Sequence, residues 1–304
     1  MPAAAACALA LVASPLLLAV IARVKALFAG RRGRPLLQPY RDLGRLLRKG
    51  AVFSRQTTPL FRLGPIVALA TALLALLLVP LGVPAPFAFP ADFIVLVAVL
   101  ALGRFALVLA ALDTGSAFEG MGASRELLFG ALTEPAVLLV LLVVVRATGR
   151  LSLSAMLGEP LGHAWSVQGI ALALAALAFF VALLAENSRV PVDDPATHLE
   201  LTMIHEVMVL DHSGPDLALL EYAASLKLYA TSAVLAGLVL PFHPASPWAS
   251  MALLLAGVLG IAVAVGVVES TMARLRLSRV PQLLVGAGVV AAFALVLALA
   301  QGGG

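Results

Sequence analysis

The sequence predicts an all-α polytopic membrane protein, a single domain over residues 1–304 with about eight transmembrane helices. A short amphipathic surface helix and a structured loop between helices five and six should complete it. The chain is 62% hydrophobic and only 12% charged, whereas soluble globular domains have about 25% charged residues. Apolar stretches that approach the roughly 20 residues needed to cross a bilayer recur along the whole chain.

The predicted spans are separated by polar connections of unequal length. They cover roughly 3–22, 64–80, 92–112, 126–146, 165–186, 219–240, 248–269 and 281–300. The fourth and sixth carry internal charges. Because Arg23 and Lys25 follow the first apolar run instead of preceding it, that run differs from a cleaved signal peptide, and we expect a retained span.

The distribution of basic residues sets the orientation that we expect. Most of the 20 Lys and Arg residues lie in the first, third, fifth and seventh connections, whereas Arg146 and Arg150 lie on the opposite side. Since cytoplasmic loops carry the excess of Lys and Arg, these four connections should face the cytoplasm and both termini the outside. The net charge of +4 then reflects topology and does not indicate nucleic acid.

A short amphipathic helix is predicted within residues 35–49, in the first cytoplasmic connection. Leu43, Leu46 and Leu47 recur at helical spacing, and basic residues surround them. Such a helix lies on a membrane surface, where it anchors the topology. The alternative is a lip over a cavity or a docking edge for a soluble partner.

The chain offers few ligands for a cofactor. Its single cysteine, Cys7, cannot ligate an iron–sulfur cluster or a structural zinc, so we expect any redox cofactor in another chain. His198, His205 and His212 are seven residues apart, about 10 Å along a helix, while the ligands of one zinc lie within about 2 Å of it. We therefore interpret them as a polar helix face and not as a metal site.

The connection between the fifth and sixth spans holds the densest group of acids and histidines in the chain. Pro191 disfavours helical geometry at the residue before it, so the fifth span should end by about Arg189. Asp194 before Pro195 is typical of a capped helix start, and that short helix should end at Gly214–Pro215. Its apolar face should hold Leu199, Met203, Val207 and Leu210.

Several charged side chains are expected at membrane depth, where they are costly and usually functional. Glu134 precedes Pro135, which frees a backbone carbonyl and bends a helix. Glu206 projects into the apolar face of the short helix, so it is a candidate titrating group. The other charged groups in or near the spans are Arg104, Asp113, Glu186, Glu221, Lys227 and Glu269.

Taken singly, an acid at the end of a span is explained as well by interfacial snorkelling or by a structural ion pair. Acids on four helices, together with two intramembrane bases, suggest a buried polar path instead.

Four ordered blocks of the chain resemble one known family. They are ENSRVPVDDPATHLELTMIHE (186–206), GRPLLQPYRDLGRLLRK (33–49), RFALVLAALDTGSAFEGMGASRE (104–126) and VESTMARLRLSRVPQ (268–282). From about residue 33 to 282 the chain thus resembles the complex I subunit 1 family. Within it, the resemblance is closest to the membrane subunit of formate hydrogenlyase and hydrogenase-4 type nickel–iron hydrogenases.

The signature loop of this family is matched in part. The matching positions are Glu186, Arg189, Pro191, Asp193 and Glu200. Val192 stands in place of a Phe of the quinone-reducing members, and Ala196 and His198 stand in place of two acids. These departures argue against a complex I style quinone site and favour the hydrogenase-like branch.

The resemblance implies a membrane anchor and coupling subunit of a respiratory oxidoreductase in the cytoplasmic membrane of a bacterium or archaeon. The chain would hold no cofactor. Nickel–iron and iron–sulfur centres would lie in soluble hydrogenase-like large and small subunits and an iron–sulfur subunit, docked on the cytoplasmic loops 23–63, 113–126 and 187–218. Antiporter-like membrane subunits would receive the coupling.

The residues expected to carry this role form two groups. The charge-relay group is Asp113, Glu134, Glu186, Glu200, Glu206, Glu221, Glu269, Arg104, Arg189 and Lys227. The loop-motif and docking group is Pro191, Asp193, Asp194, Pro195, His198 and His205. Two other functions stay open: a quinone-binding subunit of a complex I-like NADH or ferredoxin–quinone oxidoreductase, and a stand-alone cation transporter. The lack of a detectable internal repeat argues against the transporter.

Overall fold

The computed structural model describes residues 2–193 and 203–301, and in these residues the chain forms helices and no strand. Eight helices are long and apolar enough to cross a membrane: α1, α3, α4, α5, α7, α9, α10 and α11. This confirms the predicted fold class. In chain order the helices are α1 (Pro2–Phe28), α2 (Gln38–Leu46), α3 (Pro59–Leu78), α4 (Asp92–Asp113), α5 (Ala117–Thr148), α6 (Leu153–Met156), α7 (Pro160–Glu186), α8 (His205–Met208), α9 (Gly214–Val239), α10 (Pro247–Thr271) and α11 (Val280–Gln301).

Several spans extend beyond the predicted apolar stretches. α5 begins at Ala117 and α9 at Gly214, ahead of the predicted starts at 126 and 219. Hydropathy identifies only the part of a helix that crosses hydrocarbon, whereas the backbone stays helical as long as this satisfies its hydrogen bonds. The first turns of α5 are therefore helical although they carry Glu119 and Glu126.

Helix α9 lies at the centre of the bundle. In its most apolar stretch 72% of the residues are buried, against at most 50% in any other span. It packs against α1, α2, α3, α7 and α10, while α5 packs against α4, α7 and α11. A charged residue on α9, such as Lys227, is therefore enclosed by other helices of the chain.

The predicted amphipathic helix is confirmed as α2, which packs against α1 and α9. Its Tyr40 hydroxyl donates to the Val12 carbonyl of α1. Pro15 of α1 has no N–H and so leaves the Leu11 carbonyl free. Tyr222 of α9 donates a 3.0 Å hydrogen bond to that carbonyl. The three helices are thus joined at the proline of α1.

The connection after α7 differs in part from the prediction. α7 ends at Glu186, which confirms the expected exit before Pro191. The predicted helix start and most of its first turns, with Asp194, Pro195, His198, Leu199 and Glu200, lie outside the described residues. The described part holds only the single turn α8, and residues 209–213 are not helical.

Gly214–Pro215 begins α9 and does not end the preceding helix, so that prediction was wrong. Proline is favoured in the first turn of a helix because its missing N–H has no partner there. Gly214 has a positive φ of 55°, and a Cβ at this position would lie 2.7 Å from the Gly50 carbonyl oxygen. The chain therefore turns into α9 at the one residue type that fits against the first connection.

We predict that Gly214→Ala destabilises the protein more than Gly30→Ala does. Both glycines have positive φ (55° and 64°), so alanine is strained by about 1–2 kcal/mol at each. Only at Gly214 does the added Cβ also collide with backbone, because Gly30 has open space around it. Thermal unfolding of both variants in one detergent measures the difference. Equal losses would mean that the approach to Gly50 relaxes without cost.

Candidate functional site

The centre of the candidate site is Arg104, a buried side chain on α4. Its two terminal nitrogens donate to Glu134 of α5 and to Glu186 at the end of α7. Its Nε lies 3.6 Å from Oε1 of Glu126, also on α5. One guanidinium therefore contacts three carboxylates, which its planar set of five N–H donors permits.

Helix α5 is shaped to admit this guanidinium. Glu126, Gly130 and Glu134 follow one another at intervals of four residues, so they lie near one face of the helix. A Cβ at position 130 would collide with Nη1 of Arg104 and lie 2.7 Å from its Cζ. The glycine between the two glutamates thus provides the space that the arginine occupies.

Lys227 of α9 completes the cluster, with its Nζ 3.6 Å from Oε2 of Glu186. We call these five residues the central cluster: Arg104, Glu126, Glu134, Glu186 and Lys227. They come from α4, α5, α7 and α9. A buried ion left without its partner is strongly destabilising, so these four helices must stay in register at this depth.

A second group, the rim cluster, lies around Glu269 of α10, whose carboxylate is 1% exposed. Lys25 of α1 approaches it to 2.9 Å and Arg189 to 3.4 Å. Arg189 follows α7 directly in the chain. The rim cluster therefore joins the connection after α7 to the C-terminal ends of α1 and α10.

The connection is held at a third point by Asp193. Its Oδ1 pairs with Arg274 at 2.8 Å, and its Oδ2 accepts hydrogen bonds from the backbone N–H groups of Ile204 and His205 at 3.3 and 3.1 Å. The N–H of Leu275 also donates to the Pro191 carbonyl at 3.0 Å. The segment between α10 and α11 thus fixes the start of the connection, where Pro191 and Asp193 were predicted to be motif residues.

A cavity of about 440 Å³ lies between the two clusters. It touches the central cluster through Glu186 and Lys227 and the rim cluster through Arg189. His205 and Glu206 line it as well. A neighbouring cavity of about 250 Å³ between α1, α2 and α9 shares Leu18 and Glu221 with it. Five of the ten predicted relay residues line these two adjacent cavities: Glu186, Arg189, Glu206, Glu221 and Lys227.

Both described histidines of the predicted stripe are held neutral. Burial and the nearby Lys227 lower the pKa of His205 to about 4, against the opposing effect of Asp193. Burial also lowers the pKa of His212 to about 4, and its ring stacks on Phe61 with centroids 4.0 Å apart. Among residues 2–193 and 203–301, no group of three or more His, Cys, Asp and Glu side chains is placed to hold a metal ion.

Three predicted relay residues lie outside the central and rim clusters. The carboxylate of Asp113 accepts from Thr58 N at 2.6 Å and Thr58 Oγ1 at 2.8 Å, so it fixes the start of α3. Glu206 lines the cavity, and Glu221 is exposed at its edge. One more predicted relay residue, Glu200, lies outside the described residues, as do Asp194, Pro195 and His198 of the docking group.

Sequence reasoning missed several charged groups that the structure places inside the bundle, some buried and some half-buried. Glu126 was the easiest of them to predict from the sequence. Its four-residue intervals with Gly130 and Glu134 place it on the face of α5 that carries Glu134. Asp92 is fully buried and accepts a 2.7 Å bond from Leu153 N at the start of α6. The other missed groups are Lys25, Glu119 and Arg274.

The chain is similar to several known proteins over most of its length. The model of the family "NADH dehydrogenase" matches residues 2–300. Hydrogenase-4 component C of Escherichia coli (strain K12) is 34% identical over 271 residues, which cover 87% of this chain and 84% of the relative. Formate hydrogenlyase subunit 4 of the same strain is 34% identical over 279 residues, which cover 89% of each chain.

Two further similarities are more distant. An NADH-quinone oxidoreductase subunit of Rickettsia prowazekii (strain Madrid E) is 27% identical over 215 residues, 68% of this chain and 62% of the relative. A chain in the structure of the membrane-bound sulfane sulfur reductase, an archaeal respiratory membrane complex, superposes with a TM-score of 0.82 and 21% identity over 98% of both chains. At that identity the likeness shows the fold alone.

We predict that Gly130→Ala disrupts the central cluster. The added Cβ would displace the Arg104 guanidinium from its carboxylates, and breaking a buried ion pair typically costs about 3–5 kcal/mol. Gly120→Ala is the matched control on the same helix, because its Cβ would meet only Leu112 Cδ2 at 3.9 Å. Thermal unfolding in detergent compares them. If both variants unfold like the wild type, the ion pairs of Arg104 do not depend on the space beside Gly130.

We predict that His212 makes the protein less stable in acid. Its pKa of about 4 in the folded state lies below the unfolded value of about 6.5. The stability that it contributes is thus complete above pH 6.5 and is lost as the pH falls towards 4, by about 3 kcal/mol. His212→Phe preserves the stack on Phe61 and should reduce the pH dependence of the melting temperature in this window. The part that His205 contributes should remain, since its pKa is lowered to about 4 as well. Parallel curves for the two proteins would contradict the assignment.

Proposed function

We propose a function from the premise that this chain belongs to the NADH dehydrogenase family, the family of complex I subunit 1. The match over residues 2–300 and the two relatives at 34% identity confirm the resemblance predicted from the four sequence blocks. On this premise, the chain is the membrane anchor and coupling subunit of a multisubunit respiratory oxidoreductase. It docks a soluble electron-transfer arm and passes charge to other membrane subunits.

The observation that carries this proposal is the continuity between the loop face and the buried charges. The connection 187–218, assigned to partner docking, borders the cavity of about 440 Å³. Glu186 and Lys227 of the central cluster line the same cavity. A change that a partner imposes on the connection therefore reaches ionised groups inside the bundle, and charged groups at membrane depth are usually functional.

The partial exposure of Glu134 supports contact with a second membrane subunit. Its side chain is 32% exposed, against 10% for Glu126 and 7% for Glu186. Glu134 is half-buried and lines a small cavity between α4, α5, α7 and α9 together with Glu186. A carboxylate within a span is costly against lipid, so a polar group of an adjacent subunit would suit the part of Glu134 that faces out of the bundle. Antiporter-like subunits that translocate protons or sodium would take this position, next to Glu134 of the central cluster.

The redox chemistry is assigned to partner subunits on the cytoplasmic face. The relatives are named as components of hydrogenase-4 and formate hydrogenlyase, which supports a nickel–iron large subunit, a small subunit and an iron–sulfur subunit as partners. The loops 23–63, 113–126 and 187–218 would contact them. This orientation places both termini outside the cytoplasmic membrane, since eight crossings return the chain to the side where it began.

Quinone binding is the second candidate function, and the cavity favours it. A volume of about 440 Å³ lies within the range of about 300–1,000 Å³ that small-molecule sites occupy. Val192, which replaces the family's Phe, packs on Phe129 and Ile204 beneath the connection, away from the cavity wall. Quinone-dependent turnover of the purified complex, inhibited competitively by a quinone analogue, would support this candidate. Ion transport by the chain alone in liposomes would favour the stand-alone transporter instead.

We predict that Glu134→Gln uncouples the assembled complex. The amide keeps the shape of the side chain but cannot carry a negative charge, so ion translocation per electron pair should fall at least tenfold while the complex still assembles. The measurement is ion uptake by proteoliposomes during turnover. Glu159→Gln, at an exposed carboxylate outside the clusters, is the control. If turnover and translocation both stay at the wild-type level, Glu134 is only structural.

A further inference from the structure

The two clusters carry opposite charge excesses, and in the rim cluster Glu269 is buried while Lys25 is 32% exposed. Counted over the described residues, the central cluster holds three carboxylates against two cations, Arg104 and Lys227. The rim cluster holds two cations, Lys25 and Arg189, against the single carboxylate of Glu269. Buried charge is stable only when it is compensated. The central cluster therefore needs one further positive charge, and the rim cluster has one to spare.

Arg189, a cation of the rim cluster, lies close to Glu186 of the central cluster. Arg189 and Glu186 are three residues apart at the end of α7, and both line the cavity of about 440 Å³. Arg189 is attached to Glu269 by one contact of 3.4 Å, and its buried Nε has no hydrogen-bond partner. Oε2 of Glu186 also accepts no hydrogen bond. The cavity provides both the room and the acceptor for a movement of this side chain.

We propose that Arg189 moves between Glu269 and Glu186, and that its position decides whether the central cluster binds a proton. With Arg189 on Glu269, as observed, one proton taken from water in the cavity neutralises the central cluster. With Arg189 on Glu186, that cluster is neutral without the proton, which returns to the water, and Lys25 and Glu269 remain as a neutral pair. This inference rests on the proposed function, because a docked partner would move the connection that carries Arg189.

Glu126 is the carboxylate that holds the proton. Glu134 and Glu186 both accept close hydrogen bonds from Arg104, and Glu186 also pairs with Lys227. Glu126 accepts no close hydrogen bond from a cation: Nε of Arg104 lies 3.6 Å away, and Lys227 acts on it from outside direct contact. The carboxylate with the weakest cationic contact loses least by being neutral, so the geometry assigns the proton to Glu126.

Other charged groups face this region without joining either cluster. Asp193 pairs with Arg274 at 2.8 Å, and Arg125 lies near the same pair. His205 is neutral because burial and Lys227 lower its pKa to about 4. Glu206 and Glu221 line the same cavity. A move of Arg189 onto either of them would leave the central cluster protonated, and the experiment below separates that case.

The test is infrared spectroscopy of the assembled complex at rest and neutral pH, with wild-type minus variant difference spectra in H₂O and D₂O. A protonated carboxyl group gives a carbonyl band that shifts in D₂O. The wild type should show this band, and Glu126→Gln should lack it. Arg189→Gln should retain it, since no cation can then reach Glu186. Glu269→Gln should remove it, because Arg189 loses its partner and moves to Glu186.

The double variant Arg189→Gln/Glu269→Gln separates this movement from a damaged fold. It should regain the band that Glu269→Gln loses, because the cation that displaced the proton is gone. A band that persists in Glu269→Gln, or that stays absent in the double variant, would overturn the proposal. Glu159→Gln serves as the control and should leave the band unchanged. The spectra need no turnover, so this outcome is independent of the ion uptake that tests the proposed function.

Discussion

The structure depends on the compensation of buried charge around Arg104. A guanidinium at membrane depth is costly unless carboxylates surround it, and here they come from α5 and α7 while Lys227 approaches from α9. The fold meets this demand with small residues where helices must approach closely. Gly130 admits the guanidinium, and at Gly103, beside Arg104 on α4, an added Cβ would collide with Thr71 of α3.

The start of the connection after α7 acts as a junction between three ion pairs. Within a few residues, Glu186 belongs to the central cluster, Arg189 to the rim cluster, and Asp193 pairs with the segment between α10 and α11. The rim cluster extends this junction to α1, which is itself joined to α2 and α9 at Pro15. A displacement of this short stretch would therefore alter contacts with α1, α4, α9, α10 and the segment before α11. Such coupling suits a subunit that we propose links a soluble arm to other membrane subunits.

The sequence predicts the fold well because bilayer thickness and helical spacing act locally. All eight spans and the amphipathic helix α2 follow from windows of about 20 residues or fewer. The grouping of Arg104, Glu134, Glu186 and Lys227 is also predictable, since each is a charge inside an apolar segment. Their pairing is not, because Arg104 and Glu186 are separated by two helices in the chain. Asp113 shows the limit of such prediction, since it is also an acid at the end of an apolar segment but its carboxylate is occupied by the start of α3. Gly214–Pro215 shows another, because the same dipeptide fits the end of one helix and the start of the next.

We propose that the central cluster transmits charge between the cavity and other membrane subunits. The most direct measurement is the number of ions translocated per electron pair by the reconstituted complex carrying Arg104→Lys, alongside electron transfer from the soluble arm to an artificial acceptor. Lysine keeps the charge but cannot contact three carboxylates through a planar fork. We expect the translocation ratio to fall several-fold while electron transfer to the artificial acceptor is preserved. An unchanged ratio in a fully assembled complex would contradict it.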